Sequence, residues 1–455
     1  MLTPFVAFPF TFMGVGMAEN QIVIEEDEIV NPQNSPIMVN GSLYVFQSDF
    51  NGSLIIKKGG VIIDGNGFTL RGQGFFQSKG ITLDEVSNVT IKNFKVENFY
   101  YGIWLYNANF NIVAYNTLKA NTGRAIMLRR SNNNVIFQNI IVENKGRGIM
   151  LENSNNNLIE DNQVIENGCD PIIIDHSNNN CIKGNLISKN NGRGIWLGYS
   201  FNNSLVENKI IRNSYSGIQL YHSMCNNIFV NTVAHNNVYG IQLLNASLNH
   251  IYNNNFIDNT LPVNADESLN FWDNGYYNAG NYWSHLNISL DFYRGIMQNE
   301  TGSDGIIDEP YKINENNIDT YPLIGVYSIL KISYTNFSVG IVTNCEIQSF
   351  IVTINRTIMI KYIKSETSRV GRFRLWIPHE ILGPPYVVRI NDQVIDYSVI
   401  IENETLSILY FYSTAETSEI IIIPENLRLY VVCLFLVLTL YTIKVRRLCS
   451  ITSLL

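Results

Sequence analysis

Apolar residues recur in short alternating segments along most of the chain, and the segments repeat at a fixed distance. Between the repeats, asparagines return every 23 residues in three columns that run from Asn88 to Asn249, from Asn93 to Asn254 and from Asn98 to Asn259. Ile and Leu alternate with variable residues in between, which is typical of strands, whereas a helical repeat would show an apolar period of about 3.6 residues. The pattern therefore predicts three short strands per copy, joined at asparagine corners.

A Gly-Ile-x-Leu motif follows the third asparagine of most copies, while one copy reads "AIML" at Ala125 and another reads "PIII" at Pro171. The Ile and Leu are expected to point inward, as are two further columns that run from Thr90 to Ile251 and, with a polar first member, from Lys95 to Phe256. The corner asparagines are expected to tolerate a left-handed backbone and to bond to their equivalents one coil away. Stacked coils of this kind predict an all-β fold, the right-handed parallel β-helix.

The pattern stops after the last asparagine column, and an aromatic, loop-like segment follows before alternation resumes near residue 326. The later alternation predicts a small antiparallel β-sandwich. The predicted regions are 1–18, a signal-peptide-like segment; 19–79, an N-terminal cap with the first coils; 80–265, the β-helix; 266–325, its closing segment; 326–424, the sandwich; 427–445, a transmembrane helix; and 446–455, a cytoplasmic tail.

Both ends of the chain carry apolar segments. The first 18 residues end in the small residues Gly16 and Ala18 and predict export, although the positively charged start of a signal peptide is missing and a buried strand is the alternative. The run Leu429–Ile443 contains no charge and is followed by basic residues, which predicts a membrane anchor with a cytoplasmic tail. A buried strand or helix is the alternative for this run.

Composition narrows the function classes. The formal net charge of −8 argues against nucleic-acid binding, which needs a basic face. The six cysteines show no zinc spacing and no disulfide framework.

The repeat and its flanks resemble a known family. The asparagine-cornered coils, the segment "IIDGNGFTL" and the closing segments "WDNGYYNAGNYWSHL" and "DTYPL" are similar to those of the NosD-like right-handed β-helix proteins. The resemblance implies an exported surface protein whose repeat is shared with carbohydrate-binding and sugar-hydrolysing β-helices. It also implies copper delivery, for which His222, Met224 and Cys225 come nearest to a ligand set.

The residue inside each Gly-Ile-x-Leu motif and the residue after it predict two exposed columns on one sheet. Aromatic rings beside guanidinium and carboxylate groups suit a sugar, which stacks its ring face and hydrogen-bonds at its rim. Exposed aromatics that merely favour a sheet are the alternative. The predicted ligand-binding residues are Trp104, Tyr106, Arg129, Arg147, Asp170, His176, Arg193, Trp196 and Tyr221.

Two carboxylates in the second column raise the alternative of catalysis. Glu152 and Asp175 lie one coil apart, a separation of about 5 Å that suits retaining glycoside hydrolysis. A solvated ladder of charges is the alternative. A separate calcium site is predicted at Asp304 and Asp308, with Asp291 or Asp319 as further oxygen ligands.

The sequence thus predicts an exported, membrane-anchored β-helix protein that presents a face to glycans or surface polysaccharide and is more a binding protein than an enzyme. A polysaccharide hydrolase or lyase is the first alternative. A structural surface-layer component or a NosD-like copper-site accessory protein is the second.

Overall fold

The computed structural model describes residues 20–266, 268–364, 370–391 and 393–425, which fall into two compact units. The first unit holds the described residues up to 203 together with 213–215, and the second holds 204–212 and the described residues from 216 onward. The predicted signal peptide and membrane span lie outside the described residues. Within the described ranges, no helix is long and apolar enough to cross a membrane.

The first unit consists of three sheets in which nearly every strand pairs in parallel with the strand one coil away, which confirms the predicted parallel β-helix. Antiparallel pairs occur only among its first strands. Sheet 1 contains Gln21–Ile24, Val30–Asn31, Ser53–Ile56, Lys79–Asp84, Tyr101–Tyr106, Arg124–Arg129, Arg147–Glu152, Ile172–Asp175 and Ile195–Gly198. Sheet 2 contains Ile37–Asn40, Leu43–Phe46, Ile62–Asp64, Thr90–Lys92, Ile112–Ala114, Val135–Phe137, Leu158–Glu160 and Cys181–Lys183. Sheet 3 contains Phe50–Asn51, Thr69–Arg71, Lys95–Glu97, Thr117–Lys119, Ile140–Val142, Gln163–Ile165 and Leu186–Ser188.

Stacked Ile, Leu and Val columns fill the interior of these coils, and their members are fully buried. Two predicted first members are wrong. Ile91, rather than Thr90, pairs with Val113, and Val96, rather than Lys95, pairs with Leu118. The hydrogen bonds between these two coils span 22 residues instead of 23, so the regular spacing points one residue too early there.

From Asn111 to Asn254, the ladder asparagines are buried, and they are not the left-handed residues of the corners. Asn139 is fully buried, and its amide nitrogen donates to the Val113 carbonyl at 2.8 Å and to the Asn162 Oδ1 at 3.0 Å. The positive φ, 50°, belongs to Gln138 just before it. The predicted amide ladder is therefore confirmed. The expectation that asparagine supplies the left-handed turn is correct for Asn88, Asn93 and Asn98, which each have a φ of 59°, and wrong for the buried ladder asparagines that follow them.

A fourth, unpredicted ladder of buried serines accompanies the asparagines. The backbone N–H of Ser131 donates to the Ser154 Oγ at 3.0 Å, and that of Ser154 to the Ser177 Oγ at 2.8 Å. The 23-residue spacing of these serines is visible in the sequence and would have revealed it.

The second unit begins with coils of the same repeat. Its parallel strands are Ile218–Tyr221, Tyr239–Leu244 and Leu261–Asn264; Ser204–Val206, Asn227–Phe229 and His250–Tyr252; and Lys209–Ile211, Thr232–Ala234, Asn255–Ile257 and Tyr282–Trp283.

The asparagine ladder continues past the last regular copy into the closing segment. The backbone N–H of Asn254 donates to the Asn281 Oδ1 at 3.1 Å, and that of Asn281 to the Asp319 Oδ2 at 2.8 Å. Asp319 is fully buried and also accepts from the Trp283 indole N–H at 2.8 Å. The closing segment contains a short helix and two short hairpins, Gly275–Asn278, Tyr293–Arg294 with Glu300–Thr301, and Tyr311–Lys312 with Ile318–Asp319.

Two five-stranded antiparallel sheets follow, as the later alternation predicts. Their facing apolar side chains form one buried cluster. One sheet contains, in spatial order, Val326–Lys331, Ser338–Thr343, Gly371–Pro378, Leu406–Ser413 and Ser398–Glu402, and the other Cys345–Val352, Ile358–Lys364, Thr417–Pro424, Tyr386–Ile390 and Gln393–Ile395.

Candidate functional site

The outer face of sheet 1 carries three columns of side chains in register across the coils of the first unit. The middle column is Trp104, Met127, Met150, Ile173 and Trp196. One flanking column is Lys79, Tyr101, Arg124 and Arg147, and the other is Tyr106, Arg129, Glu152, Asp175 and Gly198.

The middle column is less exposed than predicted. Trp104 is 9% exposed and Met127 2%, so the prediction that Trp104 offers an open ring face is wrong. The flanking side chains cover it, because the Lys79 ammonium lies 4.5 Å from the indole centroid and the Tyr101 ring lies 4.6 Å away. The face is therefore a groove, with the middle column as its floor and the two flanking columns as its rims.

Aromatic rings form a continuous run at one end of this groove. Phe76 contacts Tyr100 at a centroid distance of 4.9 Å, Tyr100 contacts Tyr101 at 4.7 Å, and Tyr101 leads on to the buried Trp104. Phe76 is 76% exposed, and the two tyrosines are partly exposed. Burial raises the pKa of the Tyr101 hydroxyl, so it is a neutral hydrogen-bonding group at physiological pH. Sequence reasoning missed Phe76, Tyr100 and Tyr101, although the cluster "FYYGIW" marks the last two.

The first rim combines two arginines with an ion pair. Arg124 donates to the hydroxyls of Tyr100 at 3.4 Å and Tyr101 at 3.5 Å, and it pairs in register with Arg147. At the next equivalent positions, the Asp170 carboxylate accepts from Arg193 at 3.1 Å and 2.6 Å. Asp170 thus forms a bidentate pair with Arg193.

The strand beside this ion pair is short and directly follows Pro171. The strand there begins at Ile172, whereas its neighbour begins at Arg147, two positions earlier in the repeat. The Pro171 carbonyl accepts a hydrogen bond from the Ile149 N–H at 2.8 Å. A proline is tolerated there because its missing N–H falls before the ladder of strand bonds starts.

The second rim brings the two predicted carboxylates together. Glu152 and Asp175 pair in register on adjacent strands. The Glu152 carboxylate forms an ion pair with Arg129 at 3.3 Å, and Asp175 contacts the His176 ring at 2.8 Å. The His176 ring stacks on Tyr199 at 4.8 Å, which places another flat surface beside this rim.

Trp196 lies flat at the other end of the groove floor. Its indole occupies the space above Gly198, where a β-carbon would come within 2.4 Å of the ring. The Arg193 guanidinium stands 5.3 Å from the indole centroid and is held there by Asp170. Trp196 is partly exposed, so part of its ring remains accessible.

The remaining predicted ligand-binding residue, Tyr221, lies in the second unit. It pairs in register with Leu244, and its ring contacts His222 edge-on at 4.3 Å.

Comparison with known proteins identifies the family. The family model described as "Periplasmic copper-binding protein (NosD)" matches residues 17–186 and 171–287, more than half of the 455 residues. The chain belongs to the NosD family. No curated protein matches it in sequence.

Solved structures are similar to this NosD family member at low identity. A periplasmic alginate epimerase, AlgG, is 17% identical over 63% of this chain and 76% of its own, with a TM-score of 0.35. The A-module of the mannuronan C-5 epimerase AlgE6 from Azotobacter vinelandii is 15% identical over 51% and 78%, with a TM-score of 0.36. The catalytic domain of a GH87 alpha-1,3-glucanase is 14% identical over 58% and 64%, also with a TM-score of 0.36. These similarities concern the fold alone.

The copper that the NosD description implies does not fit the described side chains. Among those residues, no group of three or more His, Cys, Asp or Glu side chains is placed to hold a metal ion. His222 and Cys225 both occupy left-handed corner positions, and Met224 between them is 39% exposed.

The predicted calcium ligands are engaged in separate contacts. Asp304 accepts from the Tyr276 hydroxyl at 2.6 Å and from the Gln298 amide at 3.0 Å, and Asp308 accepts from the backbone N–H groups of Phe292 and Tyr293. Burial raises the pKa of Asp291 to about 7 and does the same for the Asp319 carboxyl of the ladder end. Calcium binding there stays a prediction.

Proposed function

We propose that this NosD family protein binds a carbohydrate chain along the groove of sheet 1. The observation that carries the proposal is the aromatic run from Phe76 to Trp104, which continues into hydrogen-bonding rims. Sugars combine apolar ring faces with hydroxyls at the edge, so they match a surface where flat rings alternate with guanidinium and carboxylate groups. The groove crosses successive strands and suits an extended polymer.

Export belongs to the same proposal. The matching family is described as periplasmic, and the apolar segment before residue 19 predicts a signal peptide. A membrane anchor at 427–445 would hold the β-helix outside the cell and leave the C-terminus in the cytoplasm. When protease is added to intact cells, we expect it to reach the β-helix and not the C-terminus. Cleavage of the C-terminus with a protected β-helix contradicts this topology.

A glycan array probed with the full-length chain tests carbohydrate binding. Tyr101→Ala and Trp196→Ala remove ring surface at the two ends of the groove and are each expected to weaken retention roughly tenfold. Tyr115→Ala is the matched control, because Tyr115 is a 52% exposed tyrosine in the loop after sheet 2. If no glycan is retained, or if the three variants retain glycans equally, carbohydrate binding in the groove is contradicted. The alternative of a structural surface-layer component would then be favoured.

Polysaccharide cleavage is the second candidate, because Glu152 and Asp175 stand in register on one rim. Retaining glycoside hydrolysis uses two carboxyl groups about 5 Å apart. Release of reducing ends from a bound polysaccharide, abolished by both Glu152→Gln and Asp175→Asn, is the expected result for an enzyme. Cleavage that survives either change excludes this pair as catalytic residues.

A further inference from the structure

The first rim carries positive charge that no carboxylate of the described chain neutralises. Lys79, Arg124 and Arg147 occupy one column, with Tyr101 between the lysine and the first arginine. Among the described residues, none of these three side chains forms an ion pair. Elsewhere in the first unit, a carboxylate about one coil away commonly neutralises the cation, as in Lys119 with Glu143 at 3.0 Å and Lys183 with Glu160 at 3.2 Å.

The two arginines stand directly opposite each other on adjacent strands. Like charges in that position destabilise a sheet. In addition, the Nε atoms of Arg124 and Arg147 are buried and have no hydrogen-bond partner. Unsatisfied donors of this kind cost folding free energy. An anion bound to the two guanidinium groups would relieve the repulsion between them.

The next coil shows how the same position is neutralised. There, aspartate replaces arginine, and Asp170 forms a bidentate pair with Arg193. Along this rim, the uncompensated charge therefore lies at the end of the groove that also holds the aromatic run.

We propose that Arg124 and Arg147 bind the carboxylate groups of an acidic, uronate-containing polysaccharide whose sugar rings lie on the aromatic run. Guanidinium groups match carboxylates in planar, paired hydrogen bonds, and Arg124 is already oriented by the hydroxyls of Tyr100 and Tyr101. Lys79, above the Trp104 ring, adds a third positive charge to the same end. This inference rests on the proposed carbohydrate binding and names the class of ligand.

Binding of the full-length chain to polygalacturonate and polyglucuronate, each compared with its carboxyl-reduced neutral form, tests the inference. The acidic forms are expected to bind at least tenfold more tightly, with affinity falling as salt rises. Arg124→Gln and Arg147→Gln are each expected to weaken acidic-glycan binding about tenfold and neutral-glycan binding by a smaller factor, because only the acidic form offers carboxylates to the guanidinium groups. Arg147→Lys should lose less affinity for the acidic polysaccharide than Arg147→Gln, because lysine keeps the positive charge.

Lys95→Gln is the matched control, since it removes an exposed cation from sheet 3 and should change nothing. The proposal of an acidic ligand would be overturned if acidic and neutral forms bound equally, or if both glutamine variants bound the acidic form normally. Tyr101→Ala still tests separately whether the groove binds carbohydrate. Arginine-dependent binding of dextran sulfate without binding of either uronate polymer would overturn the carboxylate assignment. Binding of no probe overturns the inference, and a glycan array that also retains nothing overturns the proposed function.

Discussion

The buried side chain of Asn162 stabilises the contacts between neighbouring coils. Its amide nitrogen donates to the Ile136 carbonyl at 2.9 Å and to the Asn185 Oδ1 at 3.0 Å, while its Oδ1 accepts from the Asn139 N–H at 2.9 Å. The side chain therefore joins successive coils from a position with no access to water. Removing it leaves several polar groups buried without partners.

Asn162→Ala is expected to lower the free energy of unfolding by about 2 to 5 kcal/mol, because each unsatisfied buried group costs about 1 to 3 kcal/mol. Urea unfolding followed by circular dichroism measures the change. Gln163→Ala, the neighbouring exposed position, is the control and should cost less than about 0.5 kcal/mol. Equal losses at the two positions would mean that the ladder contributes little.

Asp319 introduces a pH dependence at the end of the same ladder system. Burial raises its pKa to about 7, and the negative charge of Asp273 acts in the same direction. The unfolded value is about 3.9, so the folded chain holds the proton more tightly. This contribution to stability is fully present below about pH 4 and is lost as the pH rises through about 7.

Asp319→Asn should therefore flatten the fall in stability between pH 4 and pH 8 and raise stability at pH 8 by about 2 to 4 kcal/mol. An asparagine Oδ1 still accepts from the Asn281 N–H and the Trp283 indole. Urea unfolding monitored by tryptophan fluorescence gives the measurement, with exposed Asp266→Asn as the control. A variant that keeps the original pH slope contradicts the assignment to Asp319.

The strand Gly371–Pro378 reaches the closing segment through a buried arginine. Arg374 is fully buried and donates to the Asp304 carbonyl and the Tyr276 carbonyl, both at 2.9 Å. The Tyr276 and Trp376 rings lie 5.3 Å and 5.1 Å from its guanidinium carbon. One side chain thus ties the antiparallel sheets to the end of the coils within the second unit.

Arg374→Met is expected to destabilise the second unit by about 3 kcal/mol, because it leaves two buried carbonyls unpaired. Arg374→Lys should recover only part of this, since a single ammonium lacks the two-pronged geometry. The melting temperature reports the loss, and Arg372→Met on the same strand is the control. A melting temperature that is unchanged in Arg374→Met would show that the carbonyls find other partners.

At the level of elements, the regular coils were predictable, whereas the residues that continue the ladder past them were not. The 23-residue spacing reveals Asn111 to Asn249 because every regular coil repeats the same hydrogen bonds. Past Asn254 the sequence separation between hydrogen-bonded ladder residues becomes 27 and then 38 residues. The 23-residue repeat therefore does not identify Asn281 or Asp319 as ladder residues. The groove was half predicted. Its columns follow from alternation, but the burial of Trp104 depends on how Lys79 and Tyr101 fold over it, which spacing does not encode.

At the scale of the whole molecule, the coils of the first unit form a nearly one-dimensional stack. Each strand pairs with the equivalent strands one coil before and one coil after, as Ile140–Val142 does with Thr117–Lys119 and Gln163–Ile165. Stability in such solenoids is approximately a sum of nearest-neighbour terms. The stack should therefore accept the removal of a complete coil more readily than the removal of part of one.

Deleting residues 140–162 joins Asn139 to Gln163 and keeps every column in register, because Asn139 and Asn162 are equivalent. Deleting residues 140–151 removes about half a coil. Each later strand would then stack on a strand of a different sheet, so core Ile and Val would lie next to corner and outward-facing residues. The larger deletion is expected to keep a cooperative urea transition and native-like circular dichroism, while the smaller one should lose several kcal/mol or fail to fold. If the shorter deletion were the more stable of the two, register between neighbouring coils would not be what holds this stack together.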